Sequence, residues 1–327
     1  LETTTEMDLL ALAVYIVTFL TGLPSNVLAL YAFSLKVRLK PLPIDILLIN
    51  LTVSDLIFLL FLPFKMAEAF YDQQWVLPNF LCSLSAFIFF STIYISTLFL
   101  TAVSVDRYLG VAYPFTYKKK RHPLYVIMVC IFIWIFSSAH CSIVYITEHF
   151  RPENASDNYS LCYDDFTEEQ LAILLPVRIE LCVVLFFIPL IISAFCYLNF
   201  IHILNTLANI NHKKKQRAIG LALGTLLVFI LCFLPYNITH IVGYIHRKSP
   251  KWRRFVLLLS TFNACLDPII FYFSSSAFQE TFKKFFFIQC NCLVDLLLTF
   301  KGKMISTWSS NSSALVHSVG THIEYTY

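Results

Sequence analysis

"PIDILLINLTVSDLIFLLFLPF", residues 43–64, is an almost unbroken apolar stretch with Asp45 near its start and Asp55 in its middle. Its length matches the roughly 20 residues a helix needs to cross ~30 Å of hydrocarbon. Further blocks of the same kind cover about 9–33, 80–112, 124–147, 172–204, 217–245 and 254–274, which makes seven. The chain is 58% hydrophobic and only 13% charged, where a soluble domain is nearer a quarter charged. In lipid an isolated span must be helical, because every backbone donor needs an internal partner. The alternating strands of ~10 residues that build a membrane barrel are absent. The expected fold is an all-α membrane protein, a seven-transmembrane helix bundle over 9–274. The third, fifth and sixth blocks are long enough to tilt or to extend past the bilayer.

Orientation follows from Lys and Arg in the short loops. Lys36, Arg38 and Lys40 lie in the first loop, Lys118, Lys119, Lys120 and Arg121 in the third, and Lys213, Lys214, Lys215 and Arg217 in the fifth. These loops share one side, expected to be cytoplasmic. Residues 1–8 carry Glu2, Glu6 and Asp8 and no base, which places the N-terminus outside. The basic n-region and cleavage site of a signal peptide are missing there, so the first helix reads as an uncleaved anchor. Against this pattern, "YIHRKSPKWRRF", residues 244–255, puts Arg247, Lys248, Lys251, Arg253 and Arg254 on the outer side. The basic runs are short and separated by membrane-length segments, which excludes a nucleic-acid binder.

The outer loop at about 148–171 holds the glycosylation sequons of Asn154 and Asn158. Of the 10 cysteines, only Cys82 and Cys162 share the oxidising side, and two cysteines permit one pairing. That bridge would pin the loop across the bundle mouth. "SSAFQETFKKFFF" reads as a short amphipathic cytoplasmic helix within 275–288, lying at the membrane lipid interface. Cys290 and Cys292 follow it and are either palmitoylated or free thiols. The tail, 289–327, is expected to be disordered.

Ionisable groups inside a span are costly and mark function. Here they come with prolines in a fixed order. Asn26 lies in the first helix and Asp55 in the second. "VSVDRYLGVAYP" gives Asp106, Arg107 and Tyr108 at the inner end of the third. Trp134 follows in the fourth, Pro189 in the fifth, "CFLPYN" with Phe233 and Pro235 in the sixth, and "NACLDPIIFY" with Asp267 and Pro268 in the seventh. This set resembles the rhodopsin-like G-protein-coupled receptors over residues 9 to about 287. The resemblance implies that Asp106, Arg107 and Tyr108 restrain the inactive state and that Arg107 meets a heterotrimeric G protein, with arrestin as a second cytoplasmic partner. It also implies that Asp55, Ser96, Asn263 and Asp267 surround a sodium ion and water; no other metal or cofactor is expected. Phe233 stands where the family usually has Trp, and Phe271 where it usually has Tyr. Pro235 and Pro268 remove backbone bonds and permit hinges.

A helix turns ~100° per residue, which sorts the outer polar residues by face. Arg253 falls roughly 40° from the inward face marked by Asp267, and Arg254 roughly 140° away. In the sixth helix His240 and Tyr236 fall roughly 20° and 60° from Phe233. In the fifth, Arg178 falls roughly 20° from Pro189, with Glu180 on the opposite side. Two arginines, a histidine and a tyrosine thus converge at the outer end of helices five, six and seven. A guanidinium presents a fork of donors matched to a carboxylate, so one reading is an anion site. The other has Asp164, Asp165, Glu168 or Glu169 of the outer loop satisfying the arginines.

An amine receptor needs an Asp on the outer half of the third helix, where this chain has Phe89 and Phe90. An opsin needs a Lys in the middle of the seventh, and "LLLSTFNACLD" has none. "LPVRIELCVVLFF", "PYNITHIVGY", "RKSPKWR" and "FYFSSS" instead resemble the free fatty acid receptors, most closely their two short-chain members. The resemblance implies a plasma-membrane receptor for acetate, propionate or butyrate. It implies that Arg178 and Arg253 hold the carboxylate, that His240 and Tyr236 assist, and that His140 and Tyr94 line the pocket. A different small carboxylate, such as a hydroxy acid or a longer fatty acid, is the alternative ligand. A seven-helix carboxylate transporter is the alternative class, opposed by the lack of an inverted repeat. No nucleophile triad, metal spacing or phosphate loop is found, so an enzyme is not expected.

Overall fold

The computed structural model describes residues 2–39, 41–120, 122–149, 162–164, 166–206, 212–274 and 278–284. Among these, seven helices are long and apolar enough to cross a membrane: α1 Met7–Leu39, α2 Pro43–Phe70, α3 Asn79–Ala112, α4 Pro123–Glu148, α5 Glu168–Thr206, α6 Lys215–His246 and α7 Arg253–Phe273. The first helix already begins at Glu2, so the separate outer segment expected over 1–8 is, from Glu2 onward, continuous with α1. A short helix, Pro114–Lys120, joins α3 to α4. The bundle is one compact unit ending at Phe278. Of the amphipathic stretch expected over 275–288, residues 278–284 are described and helical. Asn154, Asn158, Cys290, Cys292 and the tail lie outside the described residues.

Length and hydropathy decide which helix sits where. α3 packs against α2, α4 and α5, and its apolar window is 72% buried against 22% for α1 and α4. The rim helices turn Leu20, Phe132 and Ile135 outward. Lipid tails are as apolar as these side chains, so burial against them drives little, and the bundle depends on close packing and internal polar contacts. Asn26 Nδ2 donates to the Ala264 carbonyl at 2.7 Å, tying α1 to α7. Trp134 Nε1 donates to Asn50 Oδ1 at 3.0 Å, tying α4 to α2. Ser193 Oγ donates to Thr101 Oγ1 at 3.1 Å, tying α5 to α3.

The prolines act through the turn before them. α5 and α6 each widen into a π turn, Val183–Phe187 and Phe229–Phe233, shortly before Pro189 and Pro235. A proline ring clashes with the carbonyl four residues earlier and offers no donor to it. A wider turn makes room for that mismatch. α7 is interrupted at Phe262, between Arg253–Thr261 and Asn263–Ser274. Straight helical geometry therefore holds only in segments.

At the outer end a disulfide joins Cys82 on α3 to Cys162, with Cα atoms 5.7 Å apart. The entry to α5 is fixed by a capping box: the Thr167 hydroxyl accepts from Gln170 N, and the Gln170 side chain accepts from Thr167 N. The outer connection is consequently shorter than the sequence suggests, because α4 persists to His149 and α5 starts at Glu168.

Close approach of α1 to its neighbours requires glycine at residue 22. A Cβ there would lie 3.1 and 3.3 Å from Leu59 methyls on α2 and 3.4 Å from the Ala264 carbonyl on α7. Gly22→Leu is expected to destabilise the bundle by about 1–3 kcal/mol, read as a lower melting temperature of the detergent-solubilised protein. An unchanged melting curve would show that α1 does not pack this tightly.

Candidate ligand-binding site

Arg178, in the outer segment of α5, is 3% exposed, and Arg253, the first residue of α7, is 6% exposed. Burying a cation is costly unless a partner compensates it. Among the described residues no carboxylate lies within ion-pair distance of either group. Arg178 Nη1 donates to Ser249 Oγ, in the loop between α6 and α7, at 3.2 Å. Arg178 Nη2 and Arg253 Nε are buried without a hydrogen-bond partner.

Aromatic faces supply the compensation instead. The Arg178 guanidinium carbon is 4.9 Å from the Phe166 ring centroid and 5.7 Å from that of Tyr163. That of Arg253 is 5.4 Å from Tyr163, 5.5 Å from Phe90 and 5.9 Å from Tyr236. Ring quadrupoles attract cations but accept no strong hydrogen bond. Two fixed cations with idle donors, both against Tyr163, are chemically suited to an anion with several acceptor lone pairs.

Below the arginines the polar groups form a chain. Tyr236 stacks on Phe90 at 5.8 Å and meets the His240 ring edge-on at 4.6 Å. The Tyr94 hydroxyl lies 3.3 Å from His240 Nε2 and 3.4 Å from Asn237 Oδ1. Both contacts are satisfied when His240 Nε2–H donates to Tyr94 and Tyr94 donates to Asn237. The structure thus gathers Arg178, Arg253, Tyr236, His240 and Tyr94 at the outer ends of α3, α5, α6 and α7.

His140, which the resemblance places in the pocket, is held across the α4–α5 seam rather than against the arginines. Its Nδ1 is 2.9 Å from Glu180 Oε1, and its ring packs 4.5 Å from Phe136. α4 lies at the rim, and Glu180 projects from the face of α5 away from Arg178. A histidine there finds its partner across the α4–α5 seam. The acidic loop engages a different arginine from those proposed for it: Asp164 pairs with the exposed Arg254. Asp165 lies outside the described residues.

Tyr163, Phe166 and Ser249 were not legible as site residues. They sit in loops, which lack the periodicity that assigns a face. The one signal was that Tyr163 adjoins Cys162. Beside Arg253 opens a cavity of about 120 Å³ lined by Ala11, Tyr15, Glu68, Leu257 and Leu258, with Phe90 and Tyr163 as its inner wall. Arg178 does not reach it. Lys65 and Glu68 pair across 2.7 Å at its α2 side.

Deeper in the bundle, Asn263 Nδ2 donates to Asp55 Oδ1 at 3.4 Å. Asp55 and Ser96 line a cavity of about 10 Å³ with Asn263 and Phe233. Asp267 is fully buried one turn further along α7. Asp55 Oδ2, Asn263 Oδ1 and both Asp267 carboxylate oxygens are buried without a hydrogen-bond partner. A space that size holds about one water-sized particle, and its donor set of hard oxygens fits a small cation. At the inner end, Asp106 accepts from the Tyr117 hydroxyl of the short helix at 2.5 Å. Arg107 is half-buried beside it, and Tyr108 packs against Phe195 and Tyr113. Phe233 meets Phe229 edge-on, and Phe271 meets Phe33.

Comparison with known proteins identifies the family. Residues 25–271 match the model of the 7 transmembrane receptor (rhodopsin family). The chain is 51% identical to free fatty acid receptor 3 of Mus musculus over 271 residues, 83% of this chain and 84% of the relative. It is 50% identical to the same receptor of Homo sapiens, over 83% of this chain and 78% of the relative. With free fatty acid receptor 2 of Homo sapiens it shares 48% over 276 residues, 84% of each chain. The chain therefore belongs to the rhodopsin family of seven-transmembrane receptors and, within it, to the free fatty acid receptors, as a multi-pass membrane receptor and not an enzyme.

Proposed function

We propose that this receptor is activated at the plasma membrane by short-chain fatty acids, acetate, propionate or butyrate, bound from the extracellular side. The observation that carries the reading is the buried pair Arg178 and Arg253, each with an unpartnered guanidinium nitrogen, compensated by aromatic rings and one hydroxyl and, among the described residues, by no carboxylate. The names of the relatives support the fatty-acid class. Tyr236 and His240 complete the polar surround, and Tyr94 fixes His240 from below. The exposed Arg247, Lys248, Lys251 and Arg254 raise the local anion concentration at the mouth.

Such a ligand buries little apolar area, so affinity comes from charge-assisted bonds. With at most about 1.5 kcal/mol per heavy atom, acetate reaches tens of micromolar at best. The carboxylate bridges α5 and α7 through the two arginines and draws their outer ends together. A ligand shifts the balance of states only through better contacts in the active one. The π turns before Pro189 and Pro235 give α5 and α6 a soft segment about which their inner ends pivot. Tyr117 then releases Asp106, and Arg107 becomes available to a heterotrimeric G protein, with arrestin following at the same face.

Arg178→Ala or Arg253→Ala is expected to abolish the second-messenger response to propionate while surface expression stays normal. Arg253→Lys is expected to lose most of it as well, since an ammonium cannot present the fork. A normal concentration–response in either alanine variant would refute the paired-arginine site. A sodium ion held by Asp55, Ser96 and Asn263, with Asp267 close by on α7, would stabilise the inactive state. Raising sodium is then expected to weaken propionate potency in the wild type and to have no effect in Asp55→Asn; equal sodium dependence in both would remove the ion from the reading.

A further inference from the structure

We infer that Tyr163 determines the chain length this receptor accepts, as the ring that stands over both guanidiniums and bounds the neighbouring outer cavity on the Arg178 side. The inference rests on the carboxylate reading above. Three consecutive residues of the outer loop are anchored to different places. Cys162 is bonded to Cys82 on α3. Asp164 is paired with Arg254 on α7. Between them Tyr163 takes a left-handed backbone conformation, φ 56°. A non-glycine residue holds that conformation at a cost and only where its surroundings fix it. The result drives the ring inward, leaving Tyr163 5% exposed.

The ring meets both guanidinium groups, at 5.7 Å from Arg178 and 5.4 Å from Arg253. The ring also packs 5.0 Å from Phe90 and 5.0 Å from Phe166, which hold it upright. The Tyr163 ring lines the cavity of about 120 Å³, together with Ala11, Leu257 and Leu258. Arg253 borders that cavity and Arg178 does not. A carboxylate seated between the guanidiniums therefore extends its chain toward the Tyr163 ring. A stub of a few carbons fits against it. A longer chain collides with the ring, although the neighbouring cavity offers Ala11, Phe255, Leu257 and Leu258 for it to pack on, beside the charged rim of Lys65, Glu68 and Arg254.

Removing the ring has two consequences that chain length separates. Loss of the cation–π contacts affects the carboxylate end, and hence every acid alike. Loss of the wall opens the cavity, and only the longer acids gain apolar contact there. A purely structural role for Tyr163 yields the first effect without the second.

The test uses the full-length receptor in cells, with straight-chain acids from acetate to octanoate and surface expression measured in parallel. In Tyr163→Ala the ratio of half-maximal concentrations, hexanoate over propionate, is expected to fall by about tenfold or more, as three methylenes become buried. Tyr163→Phe keeps the ring and is expected to keep the wild-type ratio. Ala11→Leu added to Tyr163→Ala refills the cavity and is expected to restore it. If Tyr163→Ala does not reach the surface, Asp164→Asn, which loosens the anchor, is expected to shift the ratio in the same direction by a smaller factor. An unchanged ratio, or an equal loss of potency for all acids, overturns the inference. A failure of the carboxylate reading itself appears separately, as a normal response in Arg253→Ala.

Discussion

Hydrocarbon offers no hydrogen bonds, and that constraint shapes every part of this receptor. A polar group within a span must find a partner inside the bundle or remain unsatisfied at a cost of several kcal/mol. Most do find one. Asn26 reaches the α7 backbone, Trp134 reaches Asn50, and Tyr94 joins His240 to Asn237. The few that do not are informative. They include guanidinium nitrogens of Arg178 and Arg253 at the outer end and carboxylate oxygens of Asp55 and Asp267 at mid-depth, beside single atoms of Thr18, Asp45, Ser91 and Ser137 elsewhere in the bundle. Phe233 lines the small cavity at mid-depth with Asp55 and Asn263.

The outer and mid-depth groups lie on shared helices. α7 carries Arg253 at its start and Asn263 and Asp267 further in, with the interruption at Phe262 between them. α3 carries Phe90 and Tyr94 above, Ser96 at mid-depth, and Asp106 with Arg107 below. No long wire is needed. A displacement of the outer ends of α5 and α7 acts on the same rigid segments that frame the inner site.

The fold was legible because block length and loop charge are sums over many residues, and such sums tolerate local error. The site was legible where it lay on helices. Periodicity separates Arg253 from its neighbour Arg254, and the structure buries the first and exposes the second. It likewise places Glu180 away from Arg178, and Glu180 is found facing α4. His140, placed at the pocket only by the resemblance, pairs with a carboxylate on the adjacent helix that periodicity set away from Arg178. Tyr163 and Ser249 could not be found, since a loop has no repeat from which a direction can be read. Their positions are set by a disulfide, an ion pair and a turn, all of them long-range.

The widened turns of α5 and α6 carry a further consequence for how such a receptor diversifies. A π turn shelters one surplus residue, and one residue corresponds to a rotation of about 100°. Everything outward of Val183 and everything outward of Phe229 is thereby set at its own rotational phase, decoupled from the segments facing the cytoplasm. Losing a single residue at either place would sweep Arg178 or His240 out toward the lipid while leaving the G-protein end untouched. The sensing half and the transmitting half are therefore separate modules joined by a slip ring, and a lineage can retune one without disturbing the other.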